Sequence, residues 1–188
     1  RRMWGVKPRI VWYATALLLA VALTVVSTAT SVLLTGELAL SDLTIDPWYS
    51  FFYLIPLMIL GGGLEELGWR GIAWPKLRRR SPIFAVVVVG ITWAVWHLPL
   101  FYIEGTAQFE TNFWYFSIGV FGSTMILGWL YDRTESIIAC VLYHAASNAS
   151  SGLGLSVPDG MGNAKLVEAL ALFVIGLVFF LLTVRNEP

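Results

Sequence analysis

The sequence predicts an all-α fold, a polytopic membrane helix bundle with about six transmembrane helices. Of its 188 residues, 57% are hydrophobic and only 13% are charged, and the mean hydropathy is +0.74. A soluble domain carries roughly 25% charged residues, so this composition excludes a soluble enzyme, a disordered regulator and a coiled coil. Twelve basic residues balance twelve acidic ones, so no net positive charge favours a nucleic-acid partner. The partner that the composition predicts is the lipid bilayer.

Each helix is predicted from a gap between charged residues. In chain order, the uncharged gaps run from Arg9 to Glu37 (27 residues), Asp46 to Glu65 (18), Arg80 to Glu104 (23), Glu110 to Asp132 (21), Glu135 to Asp159 (23) and Glu168 to Arg185 (16). A helix needs about 20 apolar residues to cross about 30 Å of hydrocarbon. The last gap is long enough if its helix begins near Ala164. The predicted helices lie near residues 10–34, 48–75, 82–103, 112–131, 136–155 and 164–184, within one integral-membrane domain over residues 1–188.

Lysine and arginine alternate between the two sides of the predicted bundle. They precede the first helix, follow the second and fourth, and follow the last, whereas the loops 35–47, 98–111 and 156–163 contain none. Because basic residues concentrate in cytoplasmic loops, this pattern predicts that both termini are cytoplasmic. An integral protein of the cell (plasma) membrane, with substrate entering from the cytoplasm, is the corresponding expectation.

Ionisable residues inside the predicted spans are few, and they occur in three helices. Glu65, Glu66 and Arg70 lie in the second helix, and His97 lies in the third. The fifth helix carries His144, followed four residues later by Asn148. Ionisable groups within a membrane bundle are costly and usually functional, so these positions are the candidate site.

Helical spacing predicts which of these side chains share a face. Glu66 and Arg70 are i,i+4 and can pair, whereas Glu65 is rotated by about 100° and points elsewhere. His144 and Asn148 also share a face, as do Trp93 and His97. At 1.5 Å of rise per residue the group straddles the middle of the bilayer, which predicts one water-filled cavity.

Simpler roles compete with catalysis for several residues. Glu66 and Arg70 can form a structural ion pair at a helix end, and Trp69 and Trp93 can be packing residues that wall the site. The glycines at 61–63 serve either tight helix packing or close approach of a substrate backbone, and the sequence does not separate the two.

Three ordered motifs resemble a known family. Glu65-Glu66-Leu67-Gly68-Trp69-Arg70 is similar to the EExxxR motif of the CAAX protease and bacteriocin-processing (CPBP) family. His97 and the pair His144/Asn148 match its FxxxH and HxxxN motifs, with Trp93 where the family usually has Phe. The family includes type II CAAX prenyl endopeptidases and lysostaphin-resistance-like proteins. The resemblance covers about residues 48–150.

The resemblance implies an intramembrane endopeptidase that acts on a peptide or lipidated protein substrate. It implies that Glu65 is the general base that activates water, with His97 assisting. It assigns oxyanion stabilisation to His144 and Asn148, and it gives Arg70 the role of holding Glu65 and Glu66. Independently of the resemblance, a His and an Asn one helical turn apart can aim two donors at one oxyanion.

Two other functions remain open. No cofactor is certain, but Glu65, His97 and His144 could ligate zinc in a metallopeptidase, although the sequence lacks the HExxH pattern that usually supplies two ligands and a base. A non-enzymatic transporter, proton relay or immunity protein could use the same buried ionisable groups.

Overall fold

The computed structural model describes residues 9–37, 43, 45–158 and 161–184. Within these ranges every regular element is a helix. The α-helices are α1 (Val11–Thr35), α2 (Phe51–Leu60), α3 (Glu66–Gly68), α4 (Trp74–Arg78), α5 (Pro82–His97), α6 (Phe113–Thr134), α7 (Ile137–Gly152) and α8 (Gly162–Val184).

The helices confirm the all-α membrane bundle. Five stretches of the described chain are long and apolar enough to span a membrane: Val11–Thr35, Trp48–Arg78, Pro82–Tyr102, Phe113–Thr134 and Gly162–Leu182. The remaining predicted span, 136–155, forms α7, which has only 16 residues. Much of α7 is buried, including Ala139, Cys140 and Ala145, and α1, α2 and α6 pack around it. An enclosed helix needs neither the length nor the apolarity of a lipid-facing one, so α7 can carry polar side chains.

The second span is interrupted where one continuous helix, 48–75, is predicted. After α2 the chain turns at Gly61 and Gly62, forms a 3-10 turn at Gly63–Glu65, and reaches α4 through α3 and a π-helix at Trp69–Ala73. Glycine is a poor helix former, so three in a row favour a break. Their missing side chains also allow contact with α7, since a Cβ on Gly63 would lie 3.2 Å from the Val141 side chain.

The third span also differs from its prediction as one helix over 82–103. The α-helix ends at His97 and continues as a 3-10 helix, Leu98–Tyr102, because Pro99 has no amide hydrogen to donate to the Val95 carbonyl. The amide of Leu98 donates to that carbonyl instead. His97 therefore lies where the α-helix α5 changes to a 3-10 helix, and its side chain projects from the end of α5.

Close contacts fix the helices at one end of the bundle. The side chain of Trp74 is buried against Gly128 of α6, where a Cβ would collide with the indole ring. The indole of Trp74 donates to Asp132, which also pairs with Arg78. We call this the arginine-bearing end, because α1 starts there after Arg9, α4 ends there at Arg78 and α6 ends there beside Arg133.

The opposite end is tied together by hydrogen bonds between α1 and α8. Ser31 of α1 donates to the carbonyl of Ala164, and Thr28 donates to the carboxylate of Glu168. The carboxylate of Glu37 accepts from Asn163 and from the amide of Ala164, at the start of α8. These contacts place the C-terminal end of α1 beside the N-terminal end of α8.

Candidate active site

Glu66 and Arg70 form a buried ion pair, as their spacing predicts. Both side chains have zero exposure. Arg70 Nη1 lies 3.0 Å from each Glu66 oxygen, and its hydrogen bond goes to Oε1. The Arg70 guanidinium also donates to the Thr124 carbonyl at 3.4 Å and lies 5.0 Å from the centre of the Trp93 ring. The pair therefore joins the second span to α5 and α6.

Glu65 points away from that ion pair, also as predicted. Its Oε2 atom accepts hydrogen bonds from the indole of Trp93 at 2.8 Å and from the indole of Trp69 at 3.3 Å. Its Oε1 atom lies 3.9 Å from His97 Nε2. The Glu65 side chain is 24% exposed, compared with zero for Glu66. One oxygen of Glu65 is thus held by two donors while the other faces a histidine.

The two tryptophans do more than the packing role expected for them. An indole carries one N–H donor that usually finds a partner when it is buried, and both of these donors find Glu65. One signal for this was available, because Glu65 and Trp69 are i,i+4. The contact between Glu65 and Trp93 joins two spans, and helical spacing within one span does not predict it.

His97 is oriented by the backbone of its own helix. Its Nδ1 atom lies 3.0 Å from the carbonyl oxygen of Trp93, one turn earlier. A carbonyl oxygen only accepts, so we assign the hydrogen to Nδ1, which leaves the lone pair of Nε2 facing Glu65. The ring packs against Phe116 of α6, with centroids 5.1 Å apart.

His144 and Asn148 approach the same region from α7. His144 Nδ1 lies 2.9 Å from Glu66 Oε1, and the ring stands edge-on to Trp93 with centroids 5.3 Å apart. A Cβ added to Gly62 would lie 3.0 Å from His144 Nε2 and 2.7 Å from Asn148 Nδ2. Gly62 therefore lets the chain pass directly beside both polar side chains, which gives this glycine a packing role next to the site.

One cavity of about 650 Å³ joins these groups. Glu65, His97, His144 and Asn148 line it, whereas Glu66 and Arg70 lie behind its wall. The structure thus brings together four of the six predicted site residues. The remaining two form the buried pair that supports His144.

The same residues do not fit a zinc ion as they are arranged. The described part of the chain contains no group of three or more His, Cys, Asp or Glu side chains that could hold a metal. A tetrahedral site needs three protein ligands about 2.0–2.2 Å from the ion.

Comparison with known proteins decides the family. The sequence model of the type II CAAX prenyl endopeptidase Rce1-like family matches residues 47–150, more than half of the chain. The chain belongs to this family. It is also 30% identical over 139 residues to CAAX prenyl protease 2 of Methanococcus maripaludis, an alignment that covers 70% of this chain and 50% of that relative. The chain thus spans half the length of the relative that it matches. Membership of the Rce1-like family confirms the resemblance deduced from the three motifs.

Proposed function

We propose that this protein is a CAAX-type intramembrane endopeptidase that hydrolyses a peptide bond in a membrane-associated or lipidated protein. The observation that carries the proposal is the setting of Glu65. One of its oxygens is held by two indole N–H groups, and the other faces His97 across 3.9 Å, inside the cavity lined by His144 and Asn148.

The gap between Glu65 and His97 suits one water molecule. Two acceptors 3.9 Å apart can both take a hydrogen bond from a water oxygen about 2.8 Å from each. Glu65 removes one proton from this water as the oxygen attacks the scissile carbonyl carbon, while His97 holds the second hydrogen. Such general-base assistance typically contributes about 10²–10⁴-fold in rate.

The attack moves negative charge onto the carbonyl oxygen. Asn148 donates its amide N–H to this oxygen, and His144 donates through Nε2 when its ring carries both protons. Glu66 Oε1, 2.9 Å from Nδ1, accepts the hydrogen bond of the other ring N–H and orients the ring. Donors that are already in place stabilise the charge without reorganisation, which is why such groups are effective.

Collapse of the tetrahedral intermediate completes the reaction. The carbonyl re-forms, the carbon–nitrogen bond breaks, and the leaving amine takes the proton that Glu65 removed from water. Glu65 returns to its carboxylate form, and the water oxygen remains in the new carboxyl group. No covalent bond to the protein forms at any step.

The setting of this chemistry is part of the proposal. We propose that residues 1–188 form one integral-membrane domain in the cell membrane, with both termini in the cytoplasm, and that the partners are lipid and a polypeptide substrate. The exposed apolar side chains of the described spans, such as Leu18, Trp96 and Val174, fit contact with lipid.

Cleavage of a panel of lipidated CAAX peptides by detergent-purified protein tests the proposal. We expect Glu65→Gln to lower the cleavage rate by about 10²–10⁴-fold, and we expect metal-free protein, checked by mass spectrometry, to remain active. Glu104→Gln is the matched control, because Glu104 is an exposed carboxylate in the loop after α5. Normal turnover by Glu65→Gln, or activity that requires stoichiometric zinc, would contradict the mechanism.

A further inference from the structure

We propose that the turn between α4 and α5 binds the headgroup of an anionic phospholipid. The binding surface consists of an exposed basic cluster, Lys76, Arg79 and Arg80, and of exposed apolar side chains on the first turns of α5. None of these residues lines the active-site cavity, so the proposal is independent of the proposed function.

The basic cluster carries charge that the fold itself does not use. Lys76, Arg79 and Arg80 are exposed, and in the described chain none of them forms an ion pair with a carboxylate. Arg78 differs, because it pairs with Asp132 of α6 and thereby helps to hold α4 in place. Three cations at one turn therefore remain available for an external anion.

The neighbouring end of α6 does not cancel this charge. The pair formed by Arg78 and Asp132 places the last turn of α6 beside the turn between α4 and α5. Among the described residues at the arginine-bearing end, the acidic ones are Asp132 and Glu135. Arg133 is exposed beside Glu135, so these two charges oppose each other. The surface around the cluster therefore keeps an excess of positive charge.

An apolar surface lies directly beside the cluster. Ile83, Phe84 and Val87 of α5 are all exposed. The guanidinium of Arg80 lies over the Phe84 ring, 5.7 Å from its centre, which is within the range of a cation–π contact. Because α5 belongs to a membrane-spanning stretch, its apolar side chains lie against acyl chains while the basic groups reach the headgroup level. This combination fits a phospholipid better than an acidic polypeptide.

The start of α5 adds to the attraction for phosphate. The Ser81 hydroxyl accepts from the amide of Phe84, and the Ser81 carbonyl accepts from the amide of Ala85. The N-terminal end of a helix carries partial positive charge, and guanidinium groups match phosphate oxygens in a bidentate geometry. A zwitterionic headgroup carries a cation next to its phosphate, so an excess of basic residues favours headgroups with net negative charge.

Lipid titration of the full chain in neutral detergent tests the proposal, with native mass spectrometry and thermal unfolding as readouts. We expect phosphatidylglycerol to bind more tightly than phosphatidylcholine with the same acyl chains, and to raise Tm. The preference should weaken as salt rises from about 0.05 M to about 0.5 M, because salt screens exposed charges. Inorganic phosphate alone should bind far more weakly than phosphatidylglycerol. Equal affinity for the two lipids, or for phosphate and phosphatidylglycerol, would overturn the proposal.

Matched variants locate the site. Each basic residue near an anionic lipid surface contributes about fivefold in affinity, so Lys76→Gln/Arg79→Gln/Arg80→Gln should weaken phosphatidylglycerol binding by about 10²-fold. Arg80→Gln alone should lose about fivefold, and Arg9→Gln no more than about twofold. Arg9 is the control because it is exposed at the same end but precedes α1, which packs mainly against α7 and α8.

The two single variants decide the location even if the triple variant does not fold. Equal losses in Arg80→Gln and Arg9→Gln would assign the lipid preference to general surface charge and overturn the proposed site. Tight binding of polyglutamate, with no preference between the two lipids, would indicate an acidic polypeptide partner and would also overturn it.

Discussion

Two neighbouring glutamates occupy opposite kinds of environment in this protein. Glu65 is partly exposed in a cavity, and its carboxylate takes hydrogen bonds from two neutral indoles. Glu66 has no exposure, and its carboxylate lies between the guanidinium of Arg70 and the ring of His144. The two glutamates are adjacent in the sequence, but they contact different helices. Glu65 therefore faces the cavity, whereas Glu66 forms a buried ion pair.

The difference shows how two neighbouring carboxylates in a membrane protein can serve separately in catalysis and in stabilising the fold. A carboxylate that exchanges protons with water needs solvent and an oxygen free of cations, which the surroundings of Glu65 provide. A carboxylate that holds a structure together gains from a buried cation, which Arg70 supplies. The following variants test that division, beginning with the largest expected effect.

Glu66→Gln should destabilise the fold strongly. Removing one partner of a buried ion pair leaves the other charge uncompensated, which typically costs about 3–5 kcal/mol in the free energy of unfolding. Denaturant unfolding in detergent should show this loss, and Glu65→Gln should unfold close to wild type. The double variant Glu66→Leu/Arg70→Met should recover much of the lost stability, because it removes both charges. Equal stability of the two single variants would contradict the division of tasks.

Asn148→Ala should slow catalysis without unfolding the protein. Loss of one oxyanion donor typically lowers kcat by about 10²–10³-fold. Ser151→Ala is the control, because Ser151 also lines the cavity from α7 but lies beyond the Glu65 region. Steady-state kinetics on a cleaved CAAX peptide would measure both variants. A similar loss of kcat in the two variants would mean that Asn148 acts only as part of the cavity wall.

Gly62→Ala should impair the site more than the fold. The new Cβ would push against Asn148 Nδ2 and His144 Nε2, which lie at the ends of side chains that can move aside. A displacement of about 1 Å at a reacting group can cost about 10²-fold in rate, so we expect a loss of about 10-fold to 10²-fold in kcat. Gly61→Ala provides the comparison, since its Cβ would have no neighbour nearer than 3.4 Å. Equal kinetics of the two variants would contradict the close approach at Gly62.

Trp93→Phe should give the smallest of these effects. The variant keeps an aromatic ring beside Arg70 and removes the N–H donor 2.8 Å from Glu65, so we expect kcat to fall by about 10-fold with KM nearly unchanged. Trp69→Phe removes the longer hydrogen bond, at 3.3 Å, and should cost less. A larger loss for Trp69→Phe, or a change in KM alone, would show that the indoles do not position Glu65.

The sequence was sufficient for the bundle and for the convergence of the site. Gaps between charges locate membrane spans because a charge in hydrocarbon is expensive, so the predicted ranges follow the described helices closely in α1, α6 and α8. Helical i,i+4 spacing correctly predicted that Glu66 pairs with Arg70 and that the Glu65 side chain points away from this pair. The catalytic roles of the site residues stay predictions.

The features that the sequence did not predict depend on contacts between spans. The length of α7 follows from its enclosure by other helices, and residue spacing within α7 carries no information about that enclosure. The hydrogen bond from Trp93 to Glu65 joins α5 to the second span, and it forms only after the two have packed. The cavity likewise exists only because several packed helices leave a space between them, and the sequence of one helix does not predict that space.

The π-helix at Trp69–Ala73 determines how the side chains that precede it in the second span are oriented relative to the side chains that follow it. The amide of Trp74 donates to the carbonyl of Trp69, five residues back, so this turn holds one residue more than an α-turn. The extra residue rotates everything after it by about 100° relative to a regular helix. Glu65 can thereby face the cavity while Trp74 faces Gly128 of α6. Deleting the exposed Ile72 would leave Trp69 and Trp74 four residues apart, the spacing of an α-turn, and Trp74 would keep its place beside α6. The π-helix therefore lets this span hold one additional residue without moving either the glutamates or the tryptophan anchor.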